Sequence, residues 1–314
     1  MKRAHRLPVP TLVVGNRIAG GAGKTPSTIT ILMHLQQQGW RPGVLTRGYR
    51  SKASAQGKPL ILDRDSEALL SAQDTGDEPW LIWRKTQVPI AIDPIRSRGG
   101  ELLLAAHPDV NILVCDDGLQ HLALARDIEV IVFDERGQGN GRLLPAGPLR
   151  EHIDTPATPG LCAPAIVLYN AARPSTNLAG HTSQKRTAPL VRLEDWWTRS
   201  AGPTLTPEQQ GTEGVGALAG IAQPERFFEQ LRTLGWRVNG IPLSDHADLS
   251  HLPWPQTVTH LIVTEKDAVK LQPSLIQQQR PQTQVWVASL EFEPASSFWT
   301  ELDAALRALP SSTH

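Results

Sequence analysis

Through the first half of the chain, short apolar runs rich in β-branched residues alternate with longer stretches of helical spacing. The runs fall at residues 11–14, 43–46, 89–92, 110–115 and 128–133. Such uninterrupted apolar character is how strands buried on both faces of a parallel sheet read. A helix is predicted over 26–38, with Pro26 suited to its first turn and Gly39 to its C-terminal cap. From 155 to 164 the sequence turns to Pro, Thr and Gly, which predicts a hinge, and from 171 to 210 it is polar with scattered prolines, which predicts a poorly ordered or variable surface stretch. A second alternating pattern follows, with strands at 215–218, 260–263 and 284–288 and helices at 224–234, 265–271 and 296–309. The expectation is an α/β protein of two parts: residues 1–160, a nucleotide-binding parallel sheet covered on both faces, and 161–314, a smaller α/β domain completing an active-site cleft.

Composition narrows the partners. In 314 residues, Lys+Arg and Asp+Glu balance at 31 each, so no global field draws the chain to nucleic acid or to an anionic surface. Two cysteines, Cys115 and Cys162, are too few for a disulfide scaffold or a zinc cluster, and a reducing cytoplasm fits them best. No stretch approaches the roughly 20 apolar residues of a membrane span. Nothing in the sequence implies an obligate protein partner.

The candidate chemistry begins directly after the first strand. Ile18, Ala19, Gly20, Gly21, Ala22, Gly23, Lys24 and Thr25 lie between that strand and a helix, the setting of a P-loop. Glycines let successive backbone N–H groups approach a phosphate chain, and the helix start adds its positive end. Lys24 supplies a cation for the β- and γ-phosphates, and the Thr25 hydroxyl is a Mg²⁺ ligand. The strict pattern has a glycine where Ile18 stands, and Ala19 replaces the second lysine of the partition-type ATPases. Farther on, the apolar run 111–115 leads into Asp116 and Asp117, carboxylates at a strand's C-terminal edge, where ligands of open α/β sheets bind. One of the two is expected to hold the metal and the other to orient water or substrate. The fold expected is therefore a P-loop NTPase-like parallel sheet sandwich with a second, smaller α/β domain, and ATP with Mg²⁺ its cofactors.

Several blocks in order resemble the tetraacyldisaccharide 4′-kinases, the lipid A 4′-kinases of Gram-negative bacteria. They are Arg6–Pro10, Val14–Asn16, Gly20–Pro26, Leu45–Tyr49, Gly76–Pro79, Asp116–His121, Arg126–Asp127, the long run Gly139–Glu151, Gly220–Pro224, Arg226–Phe228, Asp245–His246 and Thr264–Ala268. The resemblance implies ATP-dependent phosphorylation of the 4′-hydroxyl of a tetraacylated disaccharide 1-phosphate, giving lipid IVA, at the cytoplasmic face of the inner membrane. It implies that Asp77 and His246 activate the acceptor hydroxyl together. Without it, Asp77 reads as the cap of a helix carrying Trp80 and Trp83, and His246 as a structural histidine. Arg47 and Tyr49 form a basic and aromatic cluster suited to a sugar phosphate; with Arg96, His121, Arg150 and Glu151 they are the expected acceptor contacts. Asp245 is placed to fix the His246 tautomer or to cap a turn.

Only Met1 to His5 precede the first block, where members usually carry an amphipathic segment; the implication is a start farther upstream or a peripheral membrane contact made by other surfaces. Ala247 and His152 also depart from the pattern, and 153–170 matches weakly. Two other readings of the glycine loop are a nucleotide-dependent switch or metallochaperone-type NTPase, which needs a switch element or a cysteine motif that this sequence lacks, and a P-loop kinase of a soluble small molecule.

Overall fold

The structure is a computed structural model that describes residues 4–21, 23–156, 158–211 and 213–309. In chain order the first part comprises β1 (Thr11–Gly15), α1 (Lys24–Gln37), β2 (Pro42–Thr46), α2 (Lys52–Gln56), β3 (Leu60–Leu62), α3 (Ala72–Thr75), α4 (Asp77–Thr86), β4 (Ile90–Ile92), α5 (Arg96–Ala106), β5 (Ile112–Asp116), β6 (Ile128–Phe133), β7 (Ile166–Tyr169) and β8 (His181–Thr187). Then come β9 (Leu190–Arg192), α6 (Leu193–Thr198), β10 (Thr204–Leu205), β11 (Val215–Ala219), α7 (Pro224–Thr233), β12 (Val238–Pro242), β13 (His260–Thr264), α8 (Glu265–Ala268), α9 (Pro273–Gln279), β14 (Gln284–Ala288), β15 (Leu290–Pro294) and α10 (Ser296–Arg307).

Among the described residues these strands build a nine-stranded sheet, ordered β15-β8-β7-β6-β1-β5-β2-β4-β3, and a six-stranded one, ordered β10-β9-β14-β13-β11-β12. In the first, β1 lies between β5 and β6 and runs parallel to both. The expected buried runs are therefore the sheet's centre: every residue of β1, β2, β5 and β6 is buried. In the second, β11 pairs in parallel with β12 and β13, and β14 extends the parallel set. The class expected from the alternation of strands and helices is what forms.

The division of the chain differs from the one expected at 160. One unit is Met1–Lys185 together with Phe292–His314, the other Arg186–Glu291, so the chain leaves the first unit within β8 and returns within β15. The Pro- and Thr-rich stretch 155–164 is a loop inside the first unit. After it, β7 pairs in parallel with β6, Val130 opposite Ile166, and buries all its residues. The helix expected to close the second domain, α10, packs instead on β7. The polar stretch 171–210 is ordered, holding β8, β9, α6 and β10. It lacks an apolar signature because β8 buries Ser183 alone of its residues, so backbone pairing makes this strand without an apolar face.

Each unit has its own core. Val13, Leu45, Ala91, Leu103, Leu113 and Cys115 pack together on one side of the first sheet, and Ile131, Phe133, Val167 and Tyr169 form a second cluster. In the second unit Ala217, Phe228, Leu231, Trp236, Ile262 and Trp286 pack together. Burial also raises the Cys115 thiol's pKa, in keeping with a structural rather than a reactive cysteine.

Candidate active site

The glycine loop leaves β1 at Gly15 and ends at the first residue of α1, Lys24. Its first half is extended: Ile18 bridges Leu149, the Ala19 N–H donates to the Pro148 carbonyl at 2.7 Å, and the Arg150 N–H donates to the Arg17 carbonyl at 2.8 Å. This explains the missing first glycine, because Ile18 occupies a strand-like, fully buried position that a side chain fills. It also narrows the cradle. The Ala19 amide is used within the protein and Ile18 is inside it, so Gly20, Gly21, Gly23, Lys24 and Thr25 remain; Ala22 lies outside the described residues. Gly23 caps α1 with φ 80°, and a Cβ there would sit 1.5 Å from Nδ2 of Asn170, at the end of β7. Conformation and space both demand glycine at this point. Beside Gly20 lies the Arg136 guanidinium, anchored by Asp134 at 2.8 Å.

β5 delivers Asp116 to the same edge, 2% exposed and accepting a 2.7 Å hydrogen bond from the Thr28 hydroxyl on α1. Burial, then the charge of Glu78, pushes its carboxyl up to about 7, with Asp117 adding to the repulsion. Asp117 turns the chain in the left-handed region at φ 49°, which an aspartate tolerates better than most residues. Burial would raise its pKa too, but Lys24 and Arg150 outweigh burial and hold it below the ordinary carboxylate range. Lys24 Nζ lies 3.6 Å and Arg150 Nη1 2.8 Å from its Oδ1. A buried carboxyl poised to lose its proton, beside a lysine and a helix start, is an arrangement that a divalent cation with a phosphate chain would complete.

Asp77 opens α4, which packs on α1, and Glu78 follows it in the first turn. The loop carrying Arg47 and Tyr49 lies against this helix start. Gly48, at φ 63°, has no room for a side chain between Ile92 and the Thr75 carbonyl. Arg47 and Tyr49 are exposed, and the Arg50 guanidinium lies 5.5 Å from the centre of the Tyr49 ring. Arg96 is different: the residue is 5% exposed and its guanidinium donates to the Asp93 carbonyl at 2.7 Å, so it points into the protein. His121 is half-buried, and burial, then the charges of Arg96 and Arg126, lower its pKa and favour the neutral ring. Glu151 pairs with the buried Arg17 at 3.2 Å, and Arg17 also donates to the carbonyls of Ile153 and Thr155.

His246 belongs to the other unit, in the turn after β12, at φ 62°. Lys266 Nζ lies 3.1 Å from Asp245 Oδ1 and 3.3 Å from His246 Nε2. Lys266 follows Thr264, which caps α8 through the Asp267 N–H, and Asp267 Oδ2 in turn accepts the Gly220 N–H at 3.0 Å. Thr28, Glu78, Arg136, Asn170 and Lys266 were not singled out from sequence. Glu78 adjoins Asp77, Thr28 follows Lys24 by one helical turn, and Arg136 follows a predicted strand end; Asn170 gave no signal, because its strand was not predicted.

A sequence model of the family described as tetraacyldisaccharide-1-P 4′-kinase matches residues 1–307. The tetraacyldisaccharide 4′-kinase of Leptothrix cholodnii is 52% identical over 306 residues, 98% of this chain and 85% of that protein. The enzyme of the same name from Methylibium petroleiphilum is 48% identical over 307 residues, covering 98% and 83%. Among solved structures, LpxK from Aquifex aeolicus in complex with ATP is similar with a TM-score of 0.77 at 24% identity, covering 98% of this chain and 91% of that one.

Proposed function

This chain belongs to the tetraacyldisaccharide-1-P 4′-kinase family, and we propose that it moves the γ-phosphoryl group of ATP to the 4′-hydroxyl of a tetraacyldisaccharide 1-phosphate with the groups assembled around its glycine loop. The observation that carries the donor half is the Asp116–Asp117 pair at the end of β5 beside Lys24. The backbone N–H groups of Gly20, Gly21 and Gly23 receive the phosphates, and Lys24 exchanges Asp117 for a phosphate oxygen. Thr25 and the aspartates fit Mg²⁺, which commonly uses one or two carboxylates plus substrate phosphates; among the described residues no cluster of three or more acids, histidines or cysteines forms a self-sufficient cage. When bound, the ion supplies charge compensation across the β- and γ-phosphates.

On the acceptor side, Asp77 accepts the proton of the attacking hydroxyl. Arg47 and Tyr49 are exposed and offer a guanidinium and a ring face to the sugar phosphate, while Arg150 and Glu151 hold their loop to the glycine loop through Asp117 and Arg17. Behind Asp117 the buried Arg126 holds the turn by donating to the carbonyls of Leu119 and His121, while Arg96 donates to the Asp93 carbonyl. The resemblance gives His246 a share in the same proton transfer. No helix among the described residues is long and apolar enough to cross a membrane; a lipid acceptor then calls for peripheral contact with the cytoplasmic face of the inner membrane.

Transfer of labelled phosphate from ATP to detergent-dispersed disaccharide 1-phosphate tests the reading. Asp77→Ala is expected to keep ATP binding and to lower kcat by roughly 10²- to 10⁴-fold, the usual worth of a general base. Wild-type turnover by that variant rejects the role. If His246 acts in the same step, Asp77→Ala combined with His246→Ala costs little more than Asp77→Ala alone.

A further inference from the structure

The turn that carries His246 is fixed on two sides. Its backbone is held by the Ala247 N–H to the Ser244 carbonyl at 3.0 Å, and Lys270 Nζ donates to the Ala247 carbonyl at 3.1 Å. Lys270 is itself placed by the fully buried Asp267, 2.8 Å away, on the short segment that also carries Lys266. Lys266 is thus set opposite the histidine by a framework of cap and ion pair. Its ammonium lies 3.3 Å from His246 Nε2 and 3.1 Å from Asp245 Oδ1. Asp245 Oδ2 is 3.7 Å from the same ring nitrogen, beyond hydrogen-bond distance. The lysine therefore stands between the carboxylate and the imidazole.

An ammonium has donor hydrogens and no lone pair, so the ring nitrogen it faces must present a lone pair to it. We propose that Lys266 is a positioning residue that locks His246 as the neutral tautomer protonated at Nδ1. Asp245 acts one step back, by orienting the lysine. Resting on the reading that His246 serves phosphoryl transfer, the inference sharpens what the ring does there. With Nε2 turned to Lys266, that nitrogen takes no proton, so the base of the transfer step is Asp77 and not His246 Nε2.

Long-range ¹H–¹⁵N correlation of ¹⁵N-histidine-labelled protein reads the tautomer, with His246 assigned from the signal lost in His246→Gln. The wild type is expected to show Nδ1 protonated and Nε2 bare. Lys266→Met moves that signal toward the Nε2-protonated form, with kcat falling about tenfold and KM for ATP unchanged. This loss is smaller than the roughly 100-fold or more expected from removing a full acid–base group. Lys266→Arg, which keeps a donor and a charge, restores the Nδ1-protonated signal and guards against a variant that fails to fold. A wild-type His246 protonated at Nε2, or a Lys266→Met signal unchanged in a folded protein, overturns the proposal. A shifted tautomer with unchanged kcat supports Lys266 as the lock while rejecting His246 as a participant in transfer, so the two readings fail separately.

Discussion

At the C-terminal end of β5, Asp116 and Asp117 stand near Glu78, and both neighbouring cations, Lys24 and Arg150, lean on Asp117. Asp116 meets the neutral hydroxyl of Thr28. Beyond the ends of β12 and β13 in the second unit, two acids pair with lysines, Asp245 with Lys266 and Asp267 with Lys270. The two clusters share their strand-end setting and much of their chemistry, yet in the first burial and the charge of Glu78 raise the pKa of Asp116, while in the second these two acids are held in ion pairs. A carboxyl left short of positive charge is a site for a cation that arrives with a ligand. An acid held in an ion pair with a lysine is suited to holding a neighbouring side chain in one orientation. The molecule thus separates a region built to receive charge from one built to aim a ring.

The comparison predicts effects of descending size. Largest is Lys24→Ala: removing the cation from the receiving cluster should weaken nucleotide binding itself and lower kcat/KM for ATP by about 10²- to 10³-fold, the scale of losing one electrostatic stabiliser. Isothermal titration with ATP and Mg²⁺ checks the binding part, and unaltered affinity would mean that Lys24 does not face the phosphates. A single-residue change in the aiming cluster should leave that titration unmoved.

Next is the proton on Asp116. Its carboxyl titrates near 3.8 when unfolded and at about 7 in the folded, nucleotide-free protein. Across that window the folded state holds a proton that the unfolded state has released, so stability falls as pH rises, and above about 7 the full penalty stands. Asp116→Asn should remove this slope and stabilise the metal-free protein at pH 8, by an amount bounded at about 4 kcal/mol for a shift of that size. Denaturant unfolding at pH 5 and pH 8 in the presence of a chelator measures it. Parallel slopes for wild type and variant would show Asp116 to be an ordinary ionised carboxylate.

Asp245→Asn should produce the smallest change. Its acid is 40% exposed and paired with one lysine, so neutralising it is expected to cost less than about 1 kcal/mol in denaturant unfolding at pH 7. A loss of several kcal/mol would erase the distinction between the clusters.

Much of the first unit could be read along the chain, because its central strands are buried on both faces and so write continuous apolar runs. The strand-end aspartates and the glycines were legible for a related reason: a ligand-binding edge follows directly from such a run. What could not be read was edge structure. β8 buries a single side chain, and its sequence gives a strand no signature. With β7 and β8 unseen, the division of the chain was set too early, and Asn170, against which Gly23 packs, had no reason to be noticed. Arg136 was within reach, since it follows a predicted strand. Arg96 was named as an acceptor contact from the family resemblance and is buried in the structure, because only the packing of α5 shows which way its first residue points.

By itself the sequence determined the α/β alternation, the glycine cradle before a helix, the paired acids after a strand and the family to which their order belongs. These rest on local spacing, and local spacing is what a chain records. Tertiary structure decided which amides of the loop remain for phosphate, that Ile18 is a buried strand-like residue, that Asp116 is the carboxyl whose burial raises its pKa, and which nitrogen of His246 faces a lysine. Each of these depends on burial or on a distance of a few ångströms between segments far apart in the chain. Free energies of desolvation and charge pairing change steeply over such distances, and no spacing along a sequence encodes them.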